Sequence, residues 1–328
     1  MPDAPAAPRV LELAGGVGGA KLAHGLQALI GDRLTVVVNT GDDLERHGLL
    51  ICPDHDTVMY TLAGIDNREW GWGIAGETFA ASEMLAGYGE ETWFRLGDRD
   101  LATHIVRTRA LRDGERLTTV ALRLQEALGV RARILPMTDE PVRTHVRTDT
   151  GWLDFQTYFV GRRQEPEVRE VRFDGIEVAR ATPEVLEALA ALTTTADSIV
   201  VAPSNPFVSV APILAVSGMR SALDAARARG VPVAAISGIV GGRAIKGPAD
   251  RMLASLGGEA SSLGVARLYV GWVDLFVLDG VDSALEPAIR ALGFETLVTD
   301  TLMVDDAARE RLAHEVLEAV APLAARRR

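Results

Sequence analysis

The sequence lacks several features that large classes of protein require. It has one cysteine, Cys52, so an internal disulfide is impossible and a reducing compartment is expected. No run of about 18 or more apolar residues occurs, so no segment is predicted to span a membrane. We therefore expect a soluble, cytoplasmic protein without a membrane partner.

Aromatic residues and positive charge are also scarce. Only 5% of the residues are aromatic although 48% are hydrophobic, so Ala, Val and Leu supply most of the apolar content, as in buried parallel strands covered by helices. The formal net charge of -11 argues against a nucleic-acid partner, because binding many phosphates requires clustered Lys and Arg. The composition fits a small-molecule ligand held by a few basic residues in a cleft.

Short apolar runs that end in Gly, Asn, Ser or Asp recur along the chain, and helical patterns follow them. Strands that alternate with helices in this way predict an α/β fold with a doubly wound, mainly parallel, Rossmann-like sheet. The predicted strands are Val10–Leu13, Leu34–Val38, Ser198–Ala202, Pro232–Ile236, Leu275–Leu278 and Thr296–Val298.

The predicted strands fall into an early and a late group, separated by a mostly helical stretch. We expect one α/β domain over 1–328, with a core of about 9–59 and 173–328 and an insertion of about 60–172. Within the insertion, Thr144–Arg147 and Trp152–Val160 are predicted to form a β-hairpin. Ligands of open α/β sheets bind outside the carboxyl ends of the strands, and the motifs below follow such ends.

The first motif is the glycine-rich segment Gly15–Lys21, directly after the first predicted strand. Glycines between a strand and a helix let backbone N–H groups approach an anion, which the helix dipole also favours. The segment is neither a dinucleotide fingerprint, since Lys21 replaces its third glycine, nor a Walker A loop. Two interpretations remain: a phosphate site of a nonstandard kind, or a tight turn needed only for packing.

The second motif is a group of aspartates that follow the second predicted strand. Carboxylates on adjacent loops are typical ligands of magnesium, which also bridges to substrate phosphates. A zinc site using Cys52, His47 and His55 is an alternative, and some of these aspartates could merely cap helices or turns. The four aspartates are Asp42, Asp43, Asp54 and Asp56.

The third motif is the charged segment Arg95–His104. Asp98 or Asp100 could cap the helix that follows, and Arg99 and Arg107 are placed to bind anions. Charged residues around a helix start are more often a solvated face, so this segment carries little weight by itself.

Two loops after late strands complete the candidate phosphate site. Ala202–Pro206 and Ser237–Pro248 combine glycines or prolines with hydroxyl, amide and basic side chains. Either could be an ordinary loop, but two such loops beside the glycine-rich segment favour a shared nucleotide site. The side chains with suitable groups are Ser204, Asn205, Arg243 and Lys246.

Taken together and in order, these segments resemble the 2-phospho-L-lactate transferases that build the deazaflavin coenzyme F-420. The matching segments run over nearly the whole chain, and the ordered set is far more specific than any one of them. They are 15–21, 38–43, 51–57, 96–104, 135–139, 202–206 and 299–303.

The resemblance implies a magnesium-dependent transfer to the deazaflavin Fo, whose terminal ribityl hydroxyl attacks the phosphorus of a guanosine diphosphate adduct and releases GMP. The transferred group is phospholactyl, phosphoenolpyruvyl or phosphoglyceryl, and no residue in the sequence decides among them. The family also suggests a homodimer.

The resemblance also assigns roles to residues. Asp56, Arg95 and Asp98 fall where Fo is held, and Asp42, Asp43 and Asp56 fall where the metal is expected. Asp56 as general base, with Asp43 as a second catalytic residue, is a hypothesis. The expected nucleotide and phosphate ligands are Gly15, Gly16, Gly18, Lys21, Ser204, Asn205, Arg243 and Lys246.

Two rival functions share part of these features. A related regulatory family that binds UDP-sugars shares the glycine-rich segment and an acidic strand end, but the segments at 53–56 and 96–100 argue against it. A nicotinamide-dependent dehydrogenase is disfavoured by the missing third glycine and by the aspartates.

Overall fold

The computed structural model describes residues 8–193 and 197–326 of the chain. Its strands are β1 Val10–Ala14, β2 Leu34–Val38, β3 Leu44–Arg46, β4 Leu49–Ile51, β5 Arg133–Pro136, β6 Arg143–Thr148, β7 Gly151–Asp154, β8 Glu170–Asp174, β9 Ser198–Val201, β10 Val233–Ile236, β11 Ile239–Val240, β12 Arg243–Ala244, β13 Leu275–Asp279 and β14 Glu295–Thr299.

The α-helices lie between these strands or follow the last one. They are α1 Val17–Ile30, α2 Pro53–Leu62, α3 Ala80–Gly87, α4 Asp98–Arg112, α5 Leu117–Ala127, α6 Pro183–Ala190, α7 Ala211–Ala215, α8 Met219–Ala228, α9 Ala249–Ser255, α10 Ser262–Leu268, α11 Glu286–Arg290 and α12 Asp306–Arg326. None of the helices in the described parts of the chain is long and apolar enough to cross a membrane.

A seven-stranded, wholly parallel sheet forms the centre of the molecule, in the order β14-β13-β10-β9-β1-β2-β5. This confirms the predicted doubly wound α/β class. The chain progresses from β1 towards β5 on one side and from β9 towards β14 on the other. The strand order therefore reverses between β1 and β9, which is where a ligand cleft is expected.

Both faces of the sheet are covered, because alternate side chains of each strand point to opposite sides. Leu11 and Leu13 of β1 belong to one buried apolar layer, with residues of α6 and α8. Val10 and Ala14 belong to the other layer, with residues of α1 and α12. The Ala- and Val-rich composition thus builds a central sheet with two buried faces, as predicted.

Two details of the predicted insertion differ from the structure. The hairpin forms, with β6 paired to β7, but its second strand ends at Asp154 instead of Val160. Asp154 accepts hydrogen bonds from the backbone and hydroxyl of Thr157, and the chain there enters a helical turn, Thr157–Gly161. In addition, β5 lies inside the stretch 60–172, although it pairs with β2 in the central sheet. The bounds of core and insertion stay a prediction.

Candidate active site

A cavity of about 550 Å³ opens beside the carboxyl ends of β1 and β9, at the predicted switch point. Its walls come from the β1–α1 and β9–α7 loops, α2, α4, the segment after β12 and the segment between α2 and α3. Motifs that lie up to about 230 residues apart in the sequence meet here because parallel strands end at the same edge.

The glycine-rich segment is shaped first by packing. A side-chain carbon at Gly15 would lie 2.5 Å from Ser209 Oγ, and one at Gly16 would lie 2.6 Å from Asp54 Oδ1. The backbone N–H of Gly15 donates to Ser204 Oγ over 3.0 Å. The segment nevertheless faces the cavity, since Gly16 and Gly18 line it and α1 begins at Val17 without a side-chain cap. The close packing accounts for Gly15 and Gly16, and the phosphate site stays a prediction, which the open helix start favours.

Asp42 and Asp43 lie in the loop after β2, whereas Asp54 and Asp56 lie on α2. Pro53 is the first residue of α2, so Asp54 and Asp56 lie in its first turn and point about 200° apart around the helix axis. Asp54 lies against Gly16 and accepts a hydrogen bond of 3.0 Å from Asn39 Nδ2. Asp56 points to the other side, towards α4.

Asp42 and Asp54 form a pair of carboxylates in the cavity wall. Burial, and then the charge of Asp54, raise the pKa of Asp42 well above its ordinary value. Burial also raises the pKa of Asp54 to about 6, although hydrogen bonds from Asn39 and the Gly16 backbone oppose the shift. Asp42 Oδ1 is buried without a hydrogen-bond partner among the described residues.

Asp43 is buried behind this pair and does not line the cavity. Burial raises the pKa of Asp43 to about 7, against the opposing charge of Arg143 and the thiol of Cys52. Its Oδ1 also lacks a hydrogen-bond partner in the described chain. Cys52 is thus a neighbour of the Asp43 carboxylate. His55 is buried beside Asp56, and its ring nitrogens have no hydrogen bonds within the described residues.

These oxygens fit the magnesium expectation for Asp42 and, behind it, Asp43. Buried carboxylates without a compensating cation are costly, and a hard divalent cation with oxygen ligands removes that cost. Asp54 and Asp56 both line the cavity, and Asp54 is the one that interacts with Asp42, so the metal role that the resemblance gives Asp56 stays a prediction.

Asp56 is paired with a guanidinium that the sequence had assigned to anion binding. Both oxygens of Asp56 accept from Arg107, through Nη1 at 3.0 Å and through Nη2. Burial alone would raise the pKa of Asp56, but the charge and hydrogen bonds of Arg107, together with His55 and His104, outweigh it and hold the pKa well below the ordinary range. Arg107 is 1% exposed, so it is an internal partner and not a ligand for solvent anions.

The floor of the cavity continues from Asp56 onto α4. His104 lies between two carboxylates, with Nδ1 3.6 Å from Asp56 Oδ2 and Nε2 3.3 Å from Asp100 Oδ1. Asp100 also accepts a hydrogen bond of 2.6 Å from the hydroxyl of Tyr60. These groups line the cavity, whereas the sequence had suggested only a helix cap for Asp100.

Asp98 does not line the cavity, and its predicted contact with Fo stays a prediction. Its carboxylate accepts from the backbone N–H groups of Ala80 and Ala81 and from the hydroxyl of Thr78, so it caps the start of α3. Those three hydrogen bonds hold the pKa of the exposed Asp98 carboxyl below its ordinary value, with the Thr78 hydroxyl contributing most. The side chain therefore joins α4 to the start of α3.

The predicted basic ligands also differ in whether they line the cavity. Lys246 lines the cavity and donates to the backbone carbonyl of Trp70 over 2.8 Å, and Lys21 donates to Met303 O over 3.0 Å just outside it. These are the only lysines in the sequence, and both ammonium groups bond to neutral carbonyls. Arg243 does not line the cavity, because the short β11–β12 hairpin leaves its side chain exposed.

Six tryptophan and phenylalanine side chains line the cavity, a feature that sequence reasoning missed. Arg95 also lines it, with its guanidinium 3.7 Å above the ring of Phe79. Three of the five tryptophans in the sequence line the cavity, and this clustering in a chain poor in aromatics was the available signal. The lining aromatic side chains are Trp70, Trp72, Trp93, Phe94, Phe155 and Phe159.

Residues 10–321 match the sequence model of the family described as 2-phospho-L-lactate transferase CofD. The chain is 41% identical over 307 residues to a 2-phospho-L-lactate transferase of Methanosarcina mazei, covering 93% of this chain and 98% of that relative. It is 43% identical over 317 residues to a phosphoenolpyruvate transferase of Streptomyces griseus, covering 94% of this chain and 98% of that relative.

A solved structure resembles the fold. A member of the UPF0052 family from Bacillus halodurans superposes with a TM-score of 0.59 at 16% identity, covering 96% of this chain and 98% of that one. This likeness concerns the architecture alone, whereas the sequence matches to the two transferases extend over nearly the whole chain. The chain therefore belongs to the 2-phospho-L-lactate transferase CofD family and is a transferase enzyme.

Proposed function

We propose that the protein transfers a 2-phospholactyl or phosphoenolpyruvyl group from a guanosine diphosphate adduct to the terminal ribityl hydroxyl of the deazaflavin Fo, releasing GMP. The named relatives support group transfer of this kind, and they carry both donor names at nearly equal identity. The donor must therefore be named by experiment.

The observation that carries the proposal is that two kinds of lining meet in one cavity. The open start of α1, the β9–α7 loop and Lys246 suit the phosphates of a nucleotide donor. The six tryptophan and phenylalanine side chains suit a planar acceptor that stacks on rings. Carboxylates line the same cavity and are close enough to both ligands to serve the reaction in this proposal.

The chain's own groups account for binding and orientation. Backbone N–H groups of the α1 start and the ammonium of Lys246 neutralise phosphate oxygens. Ser204 and Asn205 also line the cavity. Arg95 and the aromatic side chains orient the ring system of the acceptor. Holding both molecules in one cavity converts a bimolecular reaction into an effectively unimolecular one.

We further propose that Asp42 and Asp54, supported by Asp43, hold magnesium. When bound, a divalent cation at these carboxylates supplies charge neutralisation for the transferring and leaving phosphate oxygens. The raised pKa values of Asp43 and Asp54, about 7 and about 6, support this assignment, because a neighbouring cation would favour the ionised carboxylates.

The test is a transfer assay with product masses. Purified protein is incubated with Fo, Mg²⁺ and each guanosine diphosphate adduct in turn, carrying lactate, enolpyruvate or glycerate. A new deazaflavin phosphodiester together with GMP, both lost when EDTA is added, is the expected result. No product with any donor, combined with tight binding of a UDP-sugar, would replace the transferase by a regulatory binder.

A further inference from the structure

The carboxylates at the floor of the cavity differ in their capacity to accept a proton. Both oxygens of Asp56 are held by the buried guanidinium of Arg107, and such a bidentate pair keeps a carboxylate ionised and weakly basic. Asp42 and Asp54 are the proposed ligands of the cation, which when bound would use their lone pairs for coordination. None of these three is well placed to remove the proton of an attacking hydroxyl.

Asp100 differs from them in its hydrogen bonds. It lies in the first turn of α4, lines the cavity and is 8% exposed. The Tyr60 hydroxyl donates to its Oδ1 over 2.6 Å, and His104 Nε2 lies 3.3 Å from the same oxygen. No hydrogen bond to Asp100 Oδ2 is present among residues 8–193 and 197–326.

His104 contacts Asp100 but is not placed to act as the base. Its Nδ1 lies 3.3 Å from Nη1 of Arg107, and because a guanidinium only donates, Nδ1 is the accepting nitrogen. Its Nε2 lies 3.3 Å from Asp100 Oδ1 but makes no hydrogen bond within the described residues. The imidazole is fully buried, and its accepting lone pair is already used by Arg107.

We propose that Asp100 is the general base that accepts the proton of the attacking hydroxyl, an inference that rests on the proposed transfer to Fo. The hydroxyl oxygen forms a bond to the phosphorus of the donor, and its proton passes to Oδ2 of Asp100. The P–O bond to the GMP phosphate breaks, and its electron pair leaves with GMP. Tyr60 is a positioning residue, because its hydroxyl occupies Oδ1 and leaves Oδ2 for the substrate.

The test separates chemistry from binding. Asp100→Asn keeps the shape of the side chain and both neighbours but removes the base, so kcat should fall by about 10²–10⁴-fold. The Kd for Fo, measured by its fluorescence, should change by less than about 3-fold. Asp113→Asn, an exposed acid at the end of the same helix, is the matched control and should keep kcat.

A second variant covers the case in which Asp100→Asn fails to fold. Asp100→Ala leaves room at the cavity wall, and added formate should restore kcat in proportion to its concentration, which a merely structural role would not produce. Asp100→Asn with at least a third of the wild-type kcat, or a folded Asp100→Ala variant that formate leaves unchanged, would overturn the proposal. Failure of the wild-type protein to form product would instead refute the proposed function.

Discussion

Asp42, Asp43 and Asp54 share one physical problem: each carboxylate is buried, and burial is the largest cause of the raised pKa in all three. Enzymes keep such groups where a ligand or a metal uses them. The uncompensated oxygens of Asp42 and Asp43 thus point to function rather than to stability, because an unpaired buried acceptor destabilises the fold.

Removing one of these carboxylates should weaken metal binding. We expect Asp42→Asn to raise the Mg²⁺ concentration for half-maximal transfer by roughly 10–100-fold, since a lost ligand costs at least as much as a lost supporting residue. Manganese binding, followed by electron paramagnetic resonance, checks the same affinity without turnover. Asp149→Asn, at the exposed β6–β7 turn, is the control, and equal metal affinity of the two variants would contradict the assignment.

Glu12 presents the same problem without a functional reason. It lies in β1, is fully buried, and neither carboxylate oxygen has a hydrogen-bond partner in the described residues. Burial raises the pKa of Glu12 well above its ordinary value. A raised folded-state pKa means that the native protein binds a proton which the unfolded chain releases, so this residue destabilises the protein progressively as pH rises above about 4.5.

Glu12→Gln should therefore stabilise the protein at alkaline pH. At pH 8 we expect a gain in the free energy of unfolding on the order of 1–3 kcal/mol, and little change near pH 4. Urea unfolding curves at both pH values measure it. Glu310→Gln on the exposed side of α12 serves as control, and a gain that is equal at both pH values would argue against an uncompensated buried charge.

At the level of elements, the segment between α2 and α3 joins the aromatic lining of the cavity to Lys246. It carries Trp70 and Trp72, and its backbone carbonyl at Trp70 accepts from Lys246, the proposed phosphate ligand. The approach is close: a side-chain carbon at Gly71 would lie 2.5 Å from Nζ of Lys246. Gly71 also has a φ of 74°, in the left-handed region.

A pair of glycine variants isolates this contact. Gly71→Ala and Gly73→Ala both place alanine at a positive φ, 74° and 71°, and each should cost about 1 kcal/mol of stability. Only Gly71→Ala displaces Lys246, because nothing lies within 4 Å of a side chain at Gly73. The KM for the donor should rise several-fold in Gly71→Ala alone, and equal donor KM values in the two variants would contradict the coupling.

The sequence predicted the elements of the sheet better than the pairing of charges. Apolar runs bounded by Gly or Asn located the strands β1, β2, β9, β10, β13 and β14 to within one residue at each end. Asp56 and Arg107 are 51 positions apart, and nothing local in the sequence indicates that α2 and α4 bring them together. The α2 start at Pro53 was the overlooked signal, because it places Asp54 and Asp56 on opposite sides of one helix.

At the scale of the whole molecule, the strand order explains why so many short motifs act as one site. Crossing between β1 and β9 brings loops from both halves of the sheet to a single edge. The sequence could predict that edge, since parallel strands all end there. It could not predict the aromatic lining of the cavity, because Trp70, Trp93 and Phe155 come from segments outside the sheet. The packing of those segments depends on tertiary contacts.

In the proposed reaction the acceptor hydroxyl attacks the donor phosphorus directly while both molecules lie in one cavity. The most direct measurement uses Fo labelled with ¹⁸O at its terminal ribityl hydroxyl, with mass spectrometry of both products after a single turnover. With labelled Fo in ordinary water, we predict that the label is retained in the deazaflavin phosphodiester. With unlabelled Fo in H₂¹⁸O, we predict that GMP contains no solvent oxygen. Loss of the label from the product, or solvent oxygen in GMP, would contradict direct transfer.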